Sequence, residues 1–186
     1  VWKFQIKISK KDRCDKNIPK STNYYFNINA ANYFYPDSTV KLPTAVLAMQ
    51  KLNELKSKGI TRNSTMITGS GYNGQTAVYN DPSTPDGRPN ISNYIKKIFL
   101  VSDNDAFNRL YEFLGQGYLN DNLHLRGYTN AQILHRLQIP LSQDENRHTN
   151  PIDFLDNNNN ILYQQAMQFN QAKYAERNDS LGKQFI

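Results

Sequence analysis

Apolar and polar residues alternate over the first eight positions, through Trp2, Phe4, Ile6 and Ile8, the period of a half-buried strand. After a polar loop carrying Pro19 and Ser21, the run Tyr24, Tyr25, Phe26 and Ile28 predicts a second strand, and the two are read as an antiparallel pair. Phe34-Tyr35-Pro36-Asp37 marks a turn. From there the period changes: Leu42, Ala45, Val46, Met49, Leu52 and Leu55 fall on one face of an amphipathic helix that Gly59 closes. Ser38 then sits at the N-terminus of that helix. Pro43 inside it would clash with the carbonyl of Thr39, so the first turn is expected to be irregular.

Residues 68–90 gather Gly69, Gly71, Gly74, Pro82, Pro85, Gly87 and Pro89, and read as a long surface loop. Ile91, Tyr94, Ile95, Ile98 and Phe99 restore a helical period up to Val101. Ser102-Asp103-Asn104 interrupts it, and Ala106, Leu110, Phe113 and Leu114 define a further helix that Gly115 ends. A shorter helix is read over Asn130 to Leu137, a loop from Pro140 to Pro151, a polar low-complexity stretch from Asn157 to Asn160, and a last helix over Tyr163 to Glu176. There is no internal repeat. Strands precede helices and none return, so the pattern is that of a mixed α/β (α+β) chain with a two-stranded sheet. Two strands rarely stand alone.

Composition narrows the functional classes. With 186 residues, 38 % of them hydrophobic, the chain is sufficient for one core. Its apolar stretches fall short of the roughly 20 residues of a membrane span, and Val1-Trp2-Lys3-Phe4 does not open a signal peptide. Cys14 is the only cysteine, which excludes an internal disulfide and a cysteine-based zinc site and leaves the redox compartment open. His124, His135 and His148 lack ligand-like spacing, so neither a metal nor another cofactor is implied. The net charge of +6 raises nucleic acid as a partner, but the densest basic cluster, Lys7, Lys10, Lys11, Arg13 and Lys16, carries no aromatic-interleaved motif. A solvated basic face is the better reading. Asn63-Ser64-Thr65 and Asn90-Ile91-Ser92 match the glycosylation pattern, as an asparagine-rich chain does by chance.

The candidate chemistry lies at the two helix junctions. A serine hydroxyl is a poor nucleophile without a positioned base, and Ser38-x-x-Lys41 puts an amine on the same face as the hydroxyl, at a helix N-terminus whose amides favour a developing oxyanion. Lys41 acts as a base only when neutral, which burial promotes. Ser-x-x-Lys alone is a weak signal: Ser180-Leu181-Gly182-Lys183 matches it too, and a capping serine beside an exposed lysine would look the same. Ser102-Asp103-Asn104 by itself reads equally well as a helix cap. The two motifs together, with Ser102 64 residues after Ser38, point to one shared site.

On these motifs, residues 24–151 resemble the class A β-lactamase and penicillin-binding-protein superfamily of serine hydrolases. Phe34 to Leu55 resembles its nucleophile helix, Ile98 to Leu114 its Ser-Asp-Asn junction, and Asn150-Pro151 the short Thr/Asn-Pro element after its Ω loop. The resemblance implies that Ser38 is acylated, Lys41 takes its proton, Ser102 relays a proton to the leaving nitrogen, and Asn104 holds the substrate amide and orients Lys41. The N–H of Ser38 would supply half of an oxyanion hole, and the opening strands would be the first two of a five-stranded sheet. It also implies a β-lactam or peptidoglycan-like small substrate and a periplasmic or other extracytoplasmic location; the spread of the basic residues argues for no nucleic acid, and a monomer is expected.

Two departures qualify it. The family's Lys-Thr-Gly or Lys-Ser-Gly strand is absent from the 186 residues, so the chain is read as the front part of a longer protein: strands in 1–30, a catalytic helical part in 37–151, and a polar tail or connector in 152–186. The family's deacylating Ω-loop glutamate has only Glu145 as a late-placed candidate, and Glu145 also fits a Ser142-x-x-Glu145 capping pattern or a pairing with Arg147. Tyr72 and Tyr79 are candidates to flank the cleft, Tyr72 as a substrate-binding residue. A penicillin-binding-protein-like peptidase or transpeptidase, and a non-catalytic cell-wall binding module of the same fold, stay open as alternatives.

Overall fold

The computed structural model describes residues 5–13, 17–29 and 35–174. Trp2, Phe4, Cys14, Phe34 and the second Ser-x-x-Lys match at Ser180 lie outside them. The chain divides into two compact units, Val1–Tyr35 and Pro36–Ile186.

In the first unit β1 (Ile6–Arg13) and β2 (Pro19–Phe26) pair antiparallel, from Ile6 opposite Phe26 to Arg13 opposite Pro19. Ile6, Ile8, Tyr24 and Phe26 form an apolar row on one face. Every residue of both strands is nevertheless exposed, where the alternation predicted half-burial. The described part of this unit contains no second layer to cover the row.

The second unit begins with a 3-10 turn over Asp37–Val40 that runs into α1 (Lys41–Glu54). This is the expected irregular first turn. With the α-helix starting at Lys41, Pro43 falls in its first turn, where an N–H has no intrahelical partner to lose. A second 3-10 turn, Lys56–Lys58, closes on Gly59 in the left-handed region at φ +76°, as the pattern predicted. The buried face of α1 differs from the expected one. Lys41, Thr44, Ala45, Leu47, Ala48, Lys51 and Leu52 point inward, while Leu42, Val46 and Met49 are 56, 58 and 40 % exposed. Two lysines with polar partners hold inward positions that hydrophobicity alone would have given to solvent.

α2 (Ile91–Val101) starts at Asn90, whose side chain accepts from the Asn93 N–H at 2.8 Å, and buries Ile91, Tyr94 and Ile98. α3 (Asn104–Leu114) is buried from Ala106 to Leu114 and packs against α1, α2 and α4 (Gln116–Leu125), which makes it the central helix of the unit. α4 follows from Gly115 and was not anticipated; its polar residues Asn120, Asn122 and Gln116 hid the period. Gly115 has φ +79°, and a Cβ there would lie 2.6 Å from the Gln168 Oε1 atom. α5 (Gln143–Arg147) is a short helix with a full capping box between Ser142 and Glu145, one of the two expectations for that pair.

Three strands return after all. β3 (Thr65–Thr68), β4 (Ile152–Leu155) and β5 (Ile161–Gln165) form an antiparallel sheet in the order β3-β4-β5, separate from β1-β2, so the described strands make two small sheets rather than one of five. β4 buries Ile152 and Phe154, and Phe154 meets Phe113 of α3 edge-on with ring centroids 5.4 Å apart. β5 occupies part of the segment expected as a helix from Tyr163. The asparagine run expected to belong to a polar tail is instead the turn of the β4-β5 hairpin. There the Asp156 Oδ1 atom accepts the N–H groups of Asn158 and Asn160, both at 2.8 Å, and Asn159 takes φ +65°. The helix expected over 130–137 is absent too. Asn120 receives the Ile133 N–H at 2.8 Å and donates to the Ile133 carbonyl at 2.9 Å, and Asn108 does the same for Leu137 at 2.7 and 3.0 Å. Buried amides thus take the place of a neighbouring strand, and the segment stays extended. No helix among the described residues is long and apolar enough to cross a membrane.

Candidate active site

Ser38 lies in the 3-10 turn and Lys41 opens α1, so the two side chains emerge on one side, with the Lys41 Nζ atom 3.3 Å from the Ser38 Oγ atom. α2 ends at Val101, and the chain turns into α3 within two residues. Ser102 achieves this in the left-handed region, at φ 54° and ψ 40°, while its N–H closes on the Ile98 carbonyl at 3.1 Å. Asp103 then caps α3 by accepting the Ala106 N–H at 2.9 Å. The turn aims both the carbonyl and the hydroxyl of Ser102 at Lys41, at 2.5 and 2.9 Å, and places the Asn104 Oδ1 atom 2.5 Å from the same amine. The Ser102 hydroxyl donates to the Ser38 Oγ atom at 3.2 Å. Ser38, Lys41, Ser102 and Asn104, all named from sequence, meet at one point.

Lys41 is only 3 % exposed whereas Ser38 and Ser102 are open to solvent, so the amine lies beneath two accessible hydroxyls. Burial lowers the Lys41 pKa, against the opposing pull of Asp37 and Asp103. Asp37, next to Ser38, has φ 48°, so a non-glycine residue in the left-handed region stands on each side of the cluster.

Glu145 and Tyr72 take hydrogen-bond partners outside these four residues. The Glu145 Oε2 atom accepts the Ser142 N–H at 2.7 Å and the Ser142 hydroxyl at 2.8 Å, and its Oε1 atom accepts from Asn73 at 2.6 Å. Among the described residues none of its hydrogen bonds goes to the Ser38 cluster, and the Ser142 N–H leads in holding its pKa low. Tyr72 donates to Asp144 and stacks on His148, ring centroids 3.6 Å apart. Tyr79 is 68 % exposed and lines a cleft of about 400 Å³ with Asp81, Tyr94, Lys97 and Asp105. Each histidine ring binds a backbone carbonyl, of Ala131, Arg136 and Asp144, and no three His, Cys, Asp or Glu side chains among the described residues are grouped as metal ligands.

Buried polar residues that hydrophobic periodicity does not detect hold the surrounding loops. Glu112 lies 3.0 Å from the Arg109 guanidinium and 2.8 Å from that of Arg136; burial raises its pKa and the two arginines oppose this. Arg109 donates to the Thr76 carbonyl at 3.0 Å, and Arg136 to the His148 carbonyl and the Asn150 Oδ1 atom, both at 3.0 Å. Asn150 in turn donates to the carbonyls of Gly69 and Thr76 at 2.7 and 3.0 Å. A Cβ on Gly69 would come within 3.1 Å of the Pro151 Cγ atom. The sequence held two usable signals: the Asn150-Pro151 pair, and the spacing of Arg109 and Glu112, three apart on a helix between apolar residues.

No curated protein and no solved structure matches the chain. A model of the beta-lactamase enzyme family does, over residues 14–179, a span that contains the whole Ser38, Lys41, Ser102 and Asn104 cluster, and the chain belongs to that family.

Proposed function

We propose that this β-lactamase-related hydrolase works through an acyl-enzyme on Ser38, with a β-lactam or a related amide as substrate. The observation that carries the reading is the set of atoms around the Lys41 amine. The Ser102 carbonyl and the Asn104 Oδ1 atom, both 2.5 Å away, can only accept, so each takes one N–H group of the amine. The third position of the amine faces the hydroxyl oxygens of Ser102 and Ser38, at 2.9 and 3.3 Å, where it donates when charged and offers its lone pair when neutral. A neutral lysine held in this way is a general base.

In this reading the Ser38 proton passes to Lys41, directly or through the Ser102 hydroxyl, as the Ser38 Oγ atom bonds to the substrate carbonyl carbon. The C–N bond then breaks, Ser102 delivers a proton to the departing nitrogen, and Lys41 replaces it on Ser102. Asn104 orients Lys41 and the substrate amide, and the N–H of Ser38 stabilises the oxyanion. Water then cleaves the ester. Because the Glu145 carboxylate is engaged by Ser142 and Asn73, the reading favours slow deacylation, closer to a penicillin-binding protein than to a fast lactamase. Its compartment is extracytoplasmic.

The test is intact mass against time with a penicillin, with Ser38→Ala as the control. A persistent Ser38-dependent adduct is expected, formed faster as the pH rises through the lowered pKa of Lys41. Failure of the folded protein to form an adduct would refute β-lactam chemistry and leave another acyl substrate or the cell-wall binding module.

A further inference from the structure

α1 and α3 are tied at two levels, each through a lysine of α1. Lys41 and Lys51 are separated by about 15 Å of helix, and so are Asn104 and Leu114, at the two ends of α3. Lys41 contacts Asn104 and Lys51 contacts Leu114 at the same sequence offset, 63 residues. The helices therefore run parallel, with a lysine rung at each end.

The second rung plays no part in the proposed chemistry. The Lys51 Nζ atom donates to the Phe113 carbonyl at 2.5 Å, the Leu114 carbonyl at 3.4 Å and the Gln165 Oε1 atom on β5 at 2.8 Å. It lies 4.7 Å from the ring centroid of Phe113 and 5.4 Å from that of Tyr118. The two carbonyls belong to the last turn of α3, where a cation meets the negative end of the helix. Lys51 is 9 % exposed, and among the described residues no carboxylate forms an ion pair with it. A methionine of similar length would fill the slot without the desolvation of an ammonium.

What the lysine adds is direction. Apolar burial such as that of Ala45, Ala48 and Leu52 has no preferred direction, whereas the two hydrogen bonds at the end of α3 and the third to β5 do.

We propose that Lys51 is a positioning residue for the Ser38 site: it locks α1 against α3 and so fixes how far Ser38 and Lys41 stand from Ser102 and Asn104. The proposal rests on acyl transfer at Ser38 for its kinetic consequence, but its geometric content can be read without substrate.

The experiment compares wild type, Lys51→Met and Lys51→Gln, all checked for folding by circular dichroism. Two readouts are taken: penicillin acylation resolved into a binding constant and a rate constant, and the pKa of Lys41 from NMR of its labelled amine. For Lys51→Met the expected result is a rate constant lower by about tenfold or more at a little-changed binding constant, and a Lys41 pKa moved up towards the ordinary lysine value. Lys51→Gln, which can still donate to the carbonyls, should recover part of both. A folded Lys51→Met with wild-type acylation and an unmoved Lys41 pKa overturns the proposal. If wild type forms no adduct, the function reading fails, and the Lys41 pKa alone decides this one. Should Lys51→Met not fold, Gln165→Leu, which removes one acceptor of Lys51 together with the amide's own bond to the Glu112 carbonyl, is expected to shift both readouts the same way by less; wild-type values there and in Lys51→Gln overturn the proposal.

Discussion

Replacing Lys51 by methionine has a consequence for stability whose size follows from its surroundings. Burial lowers the Lys51 pKa from its ordinary value of 10.5 to about 8, against an upward pull from Glu54 on the same helix. The groups facing it from α3 and β5 are carbonyls and the Gln165 amide, and α4 contributes the Tyr118 ring. With the folded-state pKa below the unfolded one, the unfolded chain holds more protons between about pH 8 and 10.5, so stability rises with pH across that window. Below pH 8 the cost of keeping the ammonium in the fold is fully present, about 3 kcal/mol at 1.36 kcal/mol per pH unit, and about 2 kcal/mol of it is relieved between pH 7 and pH 10. Urea unfolding of wild type and Lys51→Met at pH 7, 8, 9 and 10 measures this as a difference, in which other groups that titrate in both proteins cancel. Wild type should gain about 2 kcal/mol on the variant over the series. A difference independent of pH would mean that Lys51 titrates like a solvated lysine and would refute the account of its burial.

Two further outcomes follow from the buried and capping contacts. Glu112→Ala leaves the guanidinium groups of Arg109 and Arg136 without their shared carboxylate in the interior, and should lower unfolding free energy by about 3–5 kcal/mol in a denaturant titration; a loss under about 1 kcal/mol would show the arginines sufficiently satisfied by Thr76, His148 and Asn150. Glu145→Gln should leave the lifetime of a penicillin acyl-enzyme unchanged, since its carboxylate is held by Ser142 and Asn73; an adduct that lasts about ten times longer would identify Glu145 as the deacylating base after all.

The four residues of the candidate site were legible because their geometry is local twice over. Ser38 and Lys41 are one helical turn apart, and Ser102, Asp103 and Asn104 occupy one helix junction, so each half is fixed by short-range structure. Only the meeting of the halves needed the fold. What escaped was long-range or polar. β3, β4 and β5 are four or five residues each and become strands by pairing with one another. The 130–137 segment has a weak helical period, but Asn108 and Asn120 offer its backbone better partners than a helix would. On α1 a hydrophobicity count chose Leu42, Val46 and Met49 for the interior. The polar rungs at Lys41 and Lys51 turned the helix the other way.

The left-handed turn at Ser102 bears on how that residue is to be judged by mutagenesis. Its carbonyl and its hydroxyl both reach the Lys41 amine, the carbonyl at 2.5 Å and the hydroxyl at 2.9 Å. Alanine at this position would delete both bonds of the hydroxyl, to Lys41 and to Ser38, and leave the carbonyl's bond where the main chain keeps its path, so the activity such a variant loses measures only half of what the residue gives. The other half is written in the path of the main chain, and any residue able to hold φ near 54° would carry it.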